Sequence, residues 1–223
     1  MFKFDAQESA RISIRVVDYL LLMAVTRGRS GSNLRTAIGD FIVRSEFLFY
    51  HDIAGLPLDN IFELARLTGM SCQQMEMVRA FIEAEPTPVT VGGVLAKNSL
   101  IQFTLATEAR ILADTRFISR EDVENAKQKL NVAFTAAEEI AADEMAQMTY
   151  QSLIRLHAAV SFYLVETARP LPRMVRYRFY VSLPSLVVAY KLYDNAGRAD
   201  ELRSENKIVH PAFMQMNGRA LSS

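Results

Sequence analysis

The sequence predicts a mainly α-helical protein, a multi-helix bundle with one short extended or β segment near residues 174–181 and an extended C-terminal arm. Three observations predict this fold class. Apolar residues recur at helical spacing along most of the chain, short Gly-, Pro- and Ser-containing breaks separate these stretches, and only one stretch alternates with a period of two. Half of the residues are hydrophobic, which is typical of a chain that buries a core.

Two helices are predicted to open the chain. The first runs from about residue 5 to 26, with apolar residues on a wide stripe, and the Gly- and Ser-containing segment 27–32 ends it. Ser32 or Asn33 then caps a second helix that continues to about Tyr50. Gly55 and Pro57 end this part of the chain.

Residues 58–82 predict a helical hairpin that turns at Gly69, and Ser71 and Gln74 have the spacing of a capping box. Small and apolar residues occupy the offsets of a helix-turn-helix, so a DNA-binding module is one interpretation. Only Gln73, Gln74 and Arg79 are suited to contact bases or phosphates, and Glu76 opposes them. We therefore favour an ordinary hairpin, with the DNA-binding module as the alternative.

Two prolines, Pro86 and Pro88, exclude a helix at 85–88 and mark the best candidate for a boundary. The predicted domains are an N-terminal helical subdomain at 1–85 and a second helical domain at 86–223. Three long helices are expected in the second domain: about 94–116, a helix after Ser119 with Asp122 at capping-box spacing, and about 146–168.

Residues 175–181 change to a period of two, which predicts a short strand. Apolar and aromatic residues alternate with two arginines and a tyrosine: Val175, Tyr177, Phe179 and Val181 against Arg176, Arg178 and Tyr180. The segment fits a nucleic-acid site, an edge strand protected by arginines, or a strand that pairs with a neighbouring subunit. The lack of a wider basic patch favours the last two interpretations.

The overall charge excludes a strong field for nucleic acid or anionic membranes, because 25 basic residues balance 25 acidic ones. The apolar run at 19–25 is much shorter than the ~20 residues of a membrane span, and it follows Asp18 directly. It therefore predicts a buried helix face and a protein made in the cytoplasm. Cys72 is the single cysteine, so it cannot form an internal disulfide, and a reducing compartment is expected.

No catalytic or cofactor-binding motif is present, so we predict no enzymatic activity, no cofactor and no metal site. The three histidines, His51, His157 and His210, do not follow a glutamate at Glu-x-x-His spacing, and each is expected to be packed or hydrogen-bonded. The acidic residues at 138–139 and 143–144 are expected on the solvated side of a helix, away from any metal.

The C-terminal stretch is the most specific part of the sequence. LPSLVVAYKLY at 183–193 predicts a short helix that ends near Asn195, and a second short helix with charged outer positions follows through Leu202. Ser182 is suited to cap the first of these helices. After Asn206, Pro211 keeps the segment 208–210 extended. His210 is expected to anchor the arm through a hydrogen bond.

This stretch resembles the C-terminal signature of the Mu-like phage tail proteins known as DNA-circularisation proteins. The similarity lies in LPSLVVAYKLY, RADEL, a charged spacer that ends at Asn206, and the residues His210, Pro211 and Phe213, and it extends back to FISRED at 117–122. It covers roughly the second half of the chain. Members of the family usually begin with a separate β-rich domain, and we expect no such domain here, so a role of that domain is not implied.

The resemblance implies a structural virion protein of a phage tail, at the baseplate or tail-tip end. Its expected partners are other tail or baseplate proteins and further copies of itself in a ring, with DNA circularisation as an alternative role. The arm at 208–223 is expected to reach into adjacent subunits. The candidate partner-binding residues are Arg176, Tyr177, Arg178, Phe179, Tyr180, His210, Pro211 and Phe213.

Overall fold

A computed structural model describes residues 2–85 and 87–222. These residues form nine α-helices, one 3-10 helix and a two-stranded antiparallel sheet, which confirms the predicted mainly helical fold class. The elements are α1 Lys3–Met23, α2 Gly28–Tyr50, α3 Gly55–Leu67, α4 Cys72–Ala84, α5 Val91–Asp114, α6 Arg120–Asp143, α7 Gln147–Ala168, β1 Met174–Arg178, α8 Ser185–Tyr193, a 3-10 helix Ala196–Arg198, α9 Ala199–Glu205 and β2 Asn217–Leu221.

The chain divides into two compact units. The first comprises the residues up to Thr115 together with Lys129–Ser161, and the second comprises Arg116–Gln128 together with the residues from Phe162 onward. Helices α6 and α7 therefore contribute residues to both units.

The first unit is built on α1, which packs against α2, α4 and α5. Its core is apolar, with Leu20, Leu34, Phe62, Met75 and Leu100 fully buried. The predicted capping box opens α4, because the Ser71 hydroxyl accepts a hydrogen bond from the Gln74 N–H and the Gln74 side chain accepts one from the Ser71 N–H. Gly69 makes the predicted turn with a φ of 87°.

The segment before α5 is held firmly to the first unit. The Glu8 carboxylate in α1 accepts hydrogen bonds from the N–H groups of Val89 and Thr90 at 2.9 and 2.7 Å. Buried Glu85 pairs with Arg15 at 3.0 Å. The predicted domain boundary between 85 and 86 therefore falls inside the first unit, and Pro86 of the predicted linker lies outside the described residues.

The second unit surrounds a small core of its own. Tyr177 of β1 and Ala220 of β2 pack with three residues of α8, α9 and the segment between α9 and β2, namely Val188, Leu202 and Met214. The chain makes its predicted corner after α8, where Asp194 adopts a left-handed conformation and the Asn195 side chain accepts a hydrogen bond from the Gly197 N–H at 2.8 Å. No described helix is long and apolar enough to cross a membrane.

Three local predictions are wrong in detail. Helix α2 begins at Gly28, inside the predicted break, and Gly31 allows its backbone to approach Thr26 closely because a Cβ there would overlap it. Ser182 does not cap α8, since its hydroxyl donates to the Met214 carbonyl instead and Pro184 takes the cap position. The third difference concerns the C-terminal arm.

The C-terminal arm is extended, as predicted, but it does not leave the body of the protein. Residues Asn217–Leu221 of the arm form β2, which pairs with β1 of the same chain. Met214, Ala220 and Leu221 of the arm are buried. These three apolar side chains of the arm are thus buried within the second unit, whereas Val209 and Phe213 of the arm are exposed. Ser223 lies outside the described residues.

Candidate partner-binding site

The strand β1 carries Arg176, Tyr177 and Arg178, and its alternation separates them as predicted. Tyr177 points into the core of the second unit and is only 7% exposed, whereas Arg176 and Arg178 are exposed on the other face. Beyond the strand, Phe179 is half-buried beneath Lys191, whose Nζ lies 5.8 Å from the ring centre, and Tyr180 is almost fully exposed. Tyr177 and Phe179 are thus committed to packing.

The register between β1 and β2 brings a further arginine to the same face. Arg176 lies directly opposite Arg219, and Arg178 lies opposite Asn217. Residues opposite each other share a face, so Arg176, Arg178 and Arg219 form one exposed basic surface, which we call the arginine face.

The pairing pattern makes the approach of Arg176 and Arg219 particularly close. The Ser222 N–H donates to the Arg173 C=O, and the Phe179 N–H donates to the Met216 C=O. Residues of odd number in β1 therefore bond to β2, and Arg176 belongs to a pair without backbone hydrogen bonds. In such pairs the Cα atoms are about 4.5 Å apart and the side chains are closest.

The outer edge of β2 is closed by Asn206. Its side-chain amide donates to the Arg219 C=O at 2.7 Å and its side-chain oxygen accepts from the Arg219 N–H at 2.8 Å. This amide therefore replaces the backbone of a third strand. Gly218 makes the arrangement possible, because a Cβ at that position would overlap both Asn206 and the Tyr177 hydroxyl.

The outer edge of β1 is closed at one end only. The Met174 N–H donates to the Glu121 carboxylate at 2.7 Å. The backbone groups of Arg176 and Arg178 point away from β2 on the same side, and they form no such bond among the residues that the structure describes. This part of β1 is an open strand edge.

An open groove of about 770 Å³ lies against the arginine face. The three arginines line it together with Lys207, and Glu205 is its only carboxylate among the described residues. Three amide side chains complete the polar lining: Asn206, Gln215 and Asn217. The groove is therefore strongly basic in a chain with a formal net charge of zero.

The candidate residues of the arm, His210, Pro211 and Phe213, form no hydrogen bond with the arginine face among the described residues. The Pro211 C=O accepts from the Ser185 N–H at 2.7 Å, which ties the arm to the start of α8. His210 and Phe213 are exposed, with ring centres 5.3 Å apart. The His210 Nδ1 accepts from the Ala212 N–H at 3.3 Å, so its hydrogen bond is local to the arm and does not anchor it elsewhere.

Sequence reasoning missed Arg219, Lys207 and Asn206 as parts of this site. Asn217-Gly218 is typical of a turn, so nothing local predicts a strand at 217–221. The β1–β2 pairing joins distant parts of the chain, and only the register places Arg219 beside Arg176. The charged spacer that ends at Asn206 belongs to the resemblance, but its local sequence does not predict that Asn206 bonds to the edge of β2.

Two of the three alternative DNA-binding residues, Gln74 and Arg79, have partners within the first unit, and Gln73 is exposed. The Gln74 side chain forms the capping box and donates to the Met23 C=O at 2.8 Å. The Arg79 guanidinium pairs with Glu83 at 3.0 Å and with Glu108 at 3.2 Å. These contacts hold both side chains against their own unit.

The partner of Arg79 is a buried carboxyl group. Burial raises the pKa of Glu108 to about 7, and the charge and hydrogen bond of Arg79 counteract that rise only in part. Burial also raises the pKa of the nearby Cys72 thiol to about 12, with further contributions from Glu108 and Glu76. The thiol therefore stays protonated near neutral pH.

The remaining polar clusters are structural contacts. His157 lies 2.9 Å from Glu138 and 3.0 Å from Asn131, with its ring stacked on Phe134. Within 2–85 and 87–222, no group of three or more His, Cys, Asp or Glu side chains is placed to hold a metal ion. Neither a scan against protein-family models nor a search of curated proteins gave a match to this chain.

Proposed function

We propose that this chain is a non-enzymatic structural protein of a phage tail, located at the baseplate or tail-tip end and assembled through contacts with other tail proteins and with copies of itself. The proposal starts from the resemblance of the C-terminal half to the DNA-circularisation proteins of Mu-like phages. The observation that supports it is that the residues on which this resemblance depends hold loops and a strand edge of the second unit in place.

Hydrogen bonds join these residues, at 183–193 and 206–213, within the second unit, and we call this part of the unit the platform. The Leu183 C=O accepts from the Met214 N–H at 3.0 Å, and the Pro211 C=O accepts from the Ser185 N–H. Asn206 closes the edge of β2. A signature that fixes loops and a strand edge, rather than one that lines a reaction site, supports an assembly role.

The platform leaves large apolar side chains in solvent. Leu186 and Tyr190 are one turn apart on α8 and are 60% and 59% exposed. Phe213 and Val209 of the arm are also exposed, and the bond between Ser185 and Pro211 holds the arm against the start of α8. Exposed apolar groups of this size support a protein–protein interface that covers them.

The open edge of β1 offers a second means of association. Free backbone groups at Arg176 and Arg178 are able to pair with an extended segment of a neighbouring subunit. The arm of the same chain is already paired with β1, so exchange of that arm is not part of the proposal. Repetition of such a contact around an axis builds a closed ring.

A DNA-binding role of α4 has less support. The side chains of Gln74 and Arg79 already have partners within their unit, and Glu76 adds a negative charge beside them. Retention of duplex DNA at physiological salt, lost on replacement of Gln73 and Arg79, is the result that favours this alternative.

The test is to locate the protein in particles. An epitope-tagged copy is expressed during phage production, and purified particles are imaged after labelling; label at the tail end is expected. The variant Leu186→Ser/Phe213→Ser should fold but enter particles at least about 30-fold less, because each of the two lost anchors costs about 1–2 kcal/mol. Val43→Ser, at an exposed apolar site of the first unit, is the matched control. Absence of the tagged protein from particles would refute the proposal.

A further inference from the structure

We propose that the arginine face is a docking site for an acidic, extended segment of a partner protein, whose carboxylates meet Arg176, Arg178 and Arg219 in the adjoining groove. The inference names the chemistry of a partner. It rests on the proposed function only for the idea that the partner is another tail protein.

The first argument is the absence of charge compensation. None of Arg176, Arg178 and Arg219 forms an ion pair within the described residues, although neighbouring arginines of the same unit do: Arg198 pairs with Glu201 at 2.6 Å and Arg203 with Asp200 at 2.9 Å. Four arginines of the unit are paired in this way, whereas these three, which share one face, are as unpaired among the described residues as Arg116 and Arg173. Free arginines are suited to bind carboxylates in a bidentate manner.

The second argument is the position of Arg219. Charged residues on an open edge prevent unwanted strand pairing, and this explanation accounts for Arg176 and Arg178 on β1. It does not account for Arg219, because Asn206 already closes the edge of β2 at that residue. Arg219 instead adds a like charge directly opposite Arg176, an arrangement that disfavours strand pairing. A bound anion removes this repulsion.

The third argument is the shape and lining of the groove. Its volume of about 770 Å³ is large enough for a short segment of chain. The part of its lining that the structure describes contains four cations and one carboxylate, Glu205, so an acidic ligand is attracted and a basic one is repelled. The amides of Asn206, Gln215 and Asn217 are positioned to hydrogen-bond a peptide backbone or side chain.

The groove favours an acidic peptide over nucleic acid. Binding of single strands depends on exposed aromatic rings that stack with bases. The only aromatic residue among the described lining is Tyr177, which is buried with its hydroxyl beneath Gly218. Exposed Tyr180 follows Arg178 but is not among the described lining of the groove, so within the groove the arginines recognise charge, and a flexible acidic segment is able to place its carboxylates on all three.

The experiment measures fluorescence anisotropy of a labelled peptide that alternates glutamate and threonine, titrated with the full-length protein at physiological ionic strength. Saturable binding is expected, with no binding of a lysine–threonine peptide of equal length. Arg176→Gln/Arg219→Gln should weaken binding at least about tenfold. Arg29→Gln/Arg44→Gln removes the same charge from exposed sites in the first unit and should leave binding unchanged.

Charge reversal provides a second readout that does not depend on loss alone. Arg176→Glu/Arg178→Glu should lose the acidic peptide and gain affinity for the lysine–threonine peptide, with an unchanged circular dichroism spectrum. The inference is overturned if the wild-type protein ignores the acidic peptide, if both double-glutamine variants weaken binding equally, or if single-stranded DNA binds more tightly than the peptide. These outcomes leave particle incorporation untouched, so the two proposals fail separately.

Discussion

Replacement of Arg176 by glutamate should make the protein more stable, although it removes a residue of the proposed binding site. Arg176 and Arg219 are directly opposite each other in a pair without backbone hydrogen bonds, where side chains approach most closely. The substitution changes a repulsive like-charge pair into an attractive ion pair. A residue selected only for stability would not behave in this way.

The expected size of the gain follows from the position of the pair. Cross-strand charge pairs contribute about 0.2–1 kcal/mol, unfavourably for like charges and favourably for opposite charges, so the exchange spans about 0.4–2 kcal/mol. Both side chains are exposed, and glutamate has a lower strand preference, which reduces the gain to about 1 kcal/mol. For a chain of 223 residues this raises the melting temperature by about 2–4 °C.

Thermal unfolding followed by circular dichroism at low ionic strength measures this gain. Arg176→Gln removes the repulsion without adding attraction and should lie between the wild type and Arg176→Glu. Arg176→Glu/Arg219→Glu restores a like-charge pair and should lose the gain, and about 1 M salt should shrink all the differences. The reasoning about the arginine face is refuted if Arg176→Glu leaves the melting temperature unchanged or lowers it.

Three further predictions concern other parts of the chain. The pKa of Glu108 in the folded protein is about 7, above its ordinary value of 4.5. Its contribution to the free energy of unfolding is therefore fully present below pH 4.5, and up to about 3 kcal/mol of it is lost as pH rises through 7. Glu108→Gln should flatten this fall in the free energy of unfolding, whereas Glu83→Gln should keep it. Gly218→Ala should cost about 1–3 kcal/mol in denaturant unfolding because its methyl group overlaps Tyr177 and Asn206, whereas Gly39→Ala, in open space within α2, should not destabilise. Truncation after Asn206 removes β2 and should expose the second unit to limited proteolysis while the helices of the first unit persist; resistance equal to the full chain would contradict the role of the arm.

Local sequence signals predicted most of the helices. The caps at Ser71 and Ser119 need only residues three positions apart: Ser71 forms a complete capping box, and the Ser119 hydroxyl accepts from the Asp122 N–H and donates to the Asp122 carboxylate. The corner at Asp194 and Asn195 follows in the same way from residues that accept a left-handed or turn conformation. The two-residue period at 175–181 correctly separated buried Tyr177 from the exposed arginines, because strand alternation is also a local property.

The features that depend on distant contacts were not predictable from pattern. The strand β2 contains Asn217, Gly218 and Arg219, which are poor or neutral strand formers, and it exists because β1 and Asn206 supply hydrogen bonds on its two sides. The apolar residues Leu186 and Tyr190 fall on one face of α8, but the buried face is a different one. The spacing of apolar residues identifies the faces of a helix, but it does not predict which face is buried in the fold.

The anchors around β2 explain how a small sheet tolerates a like-charge pair at its centre. Asn206 holds the Arg219 backbone from one side, and the bonds of Ser222 to Arg173 and of Met216 to Phe179 fix the strand pairing at both ends. The strands therefore stay paired despite the repulsion, and the backbone positions of the three arginines beside the groove are fixed. A carboxylate that binds between the arginines reduces this repulsion while the strand pairing stays intact, and the ordering of three exposed side chains opposes part of that gain.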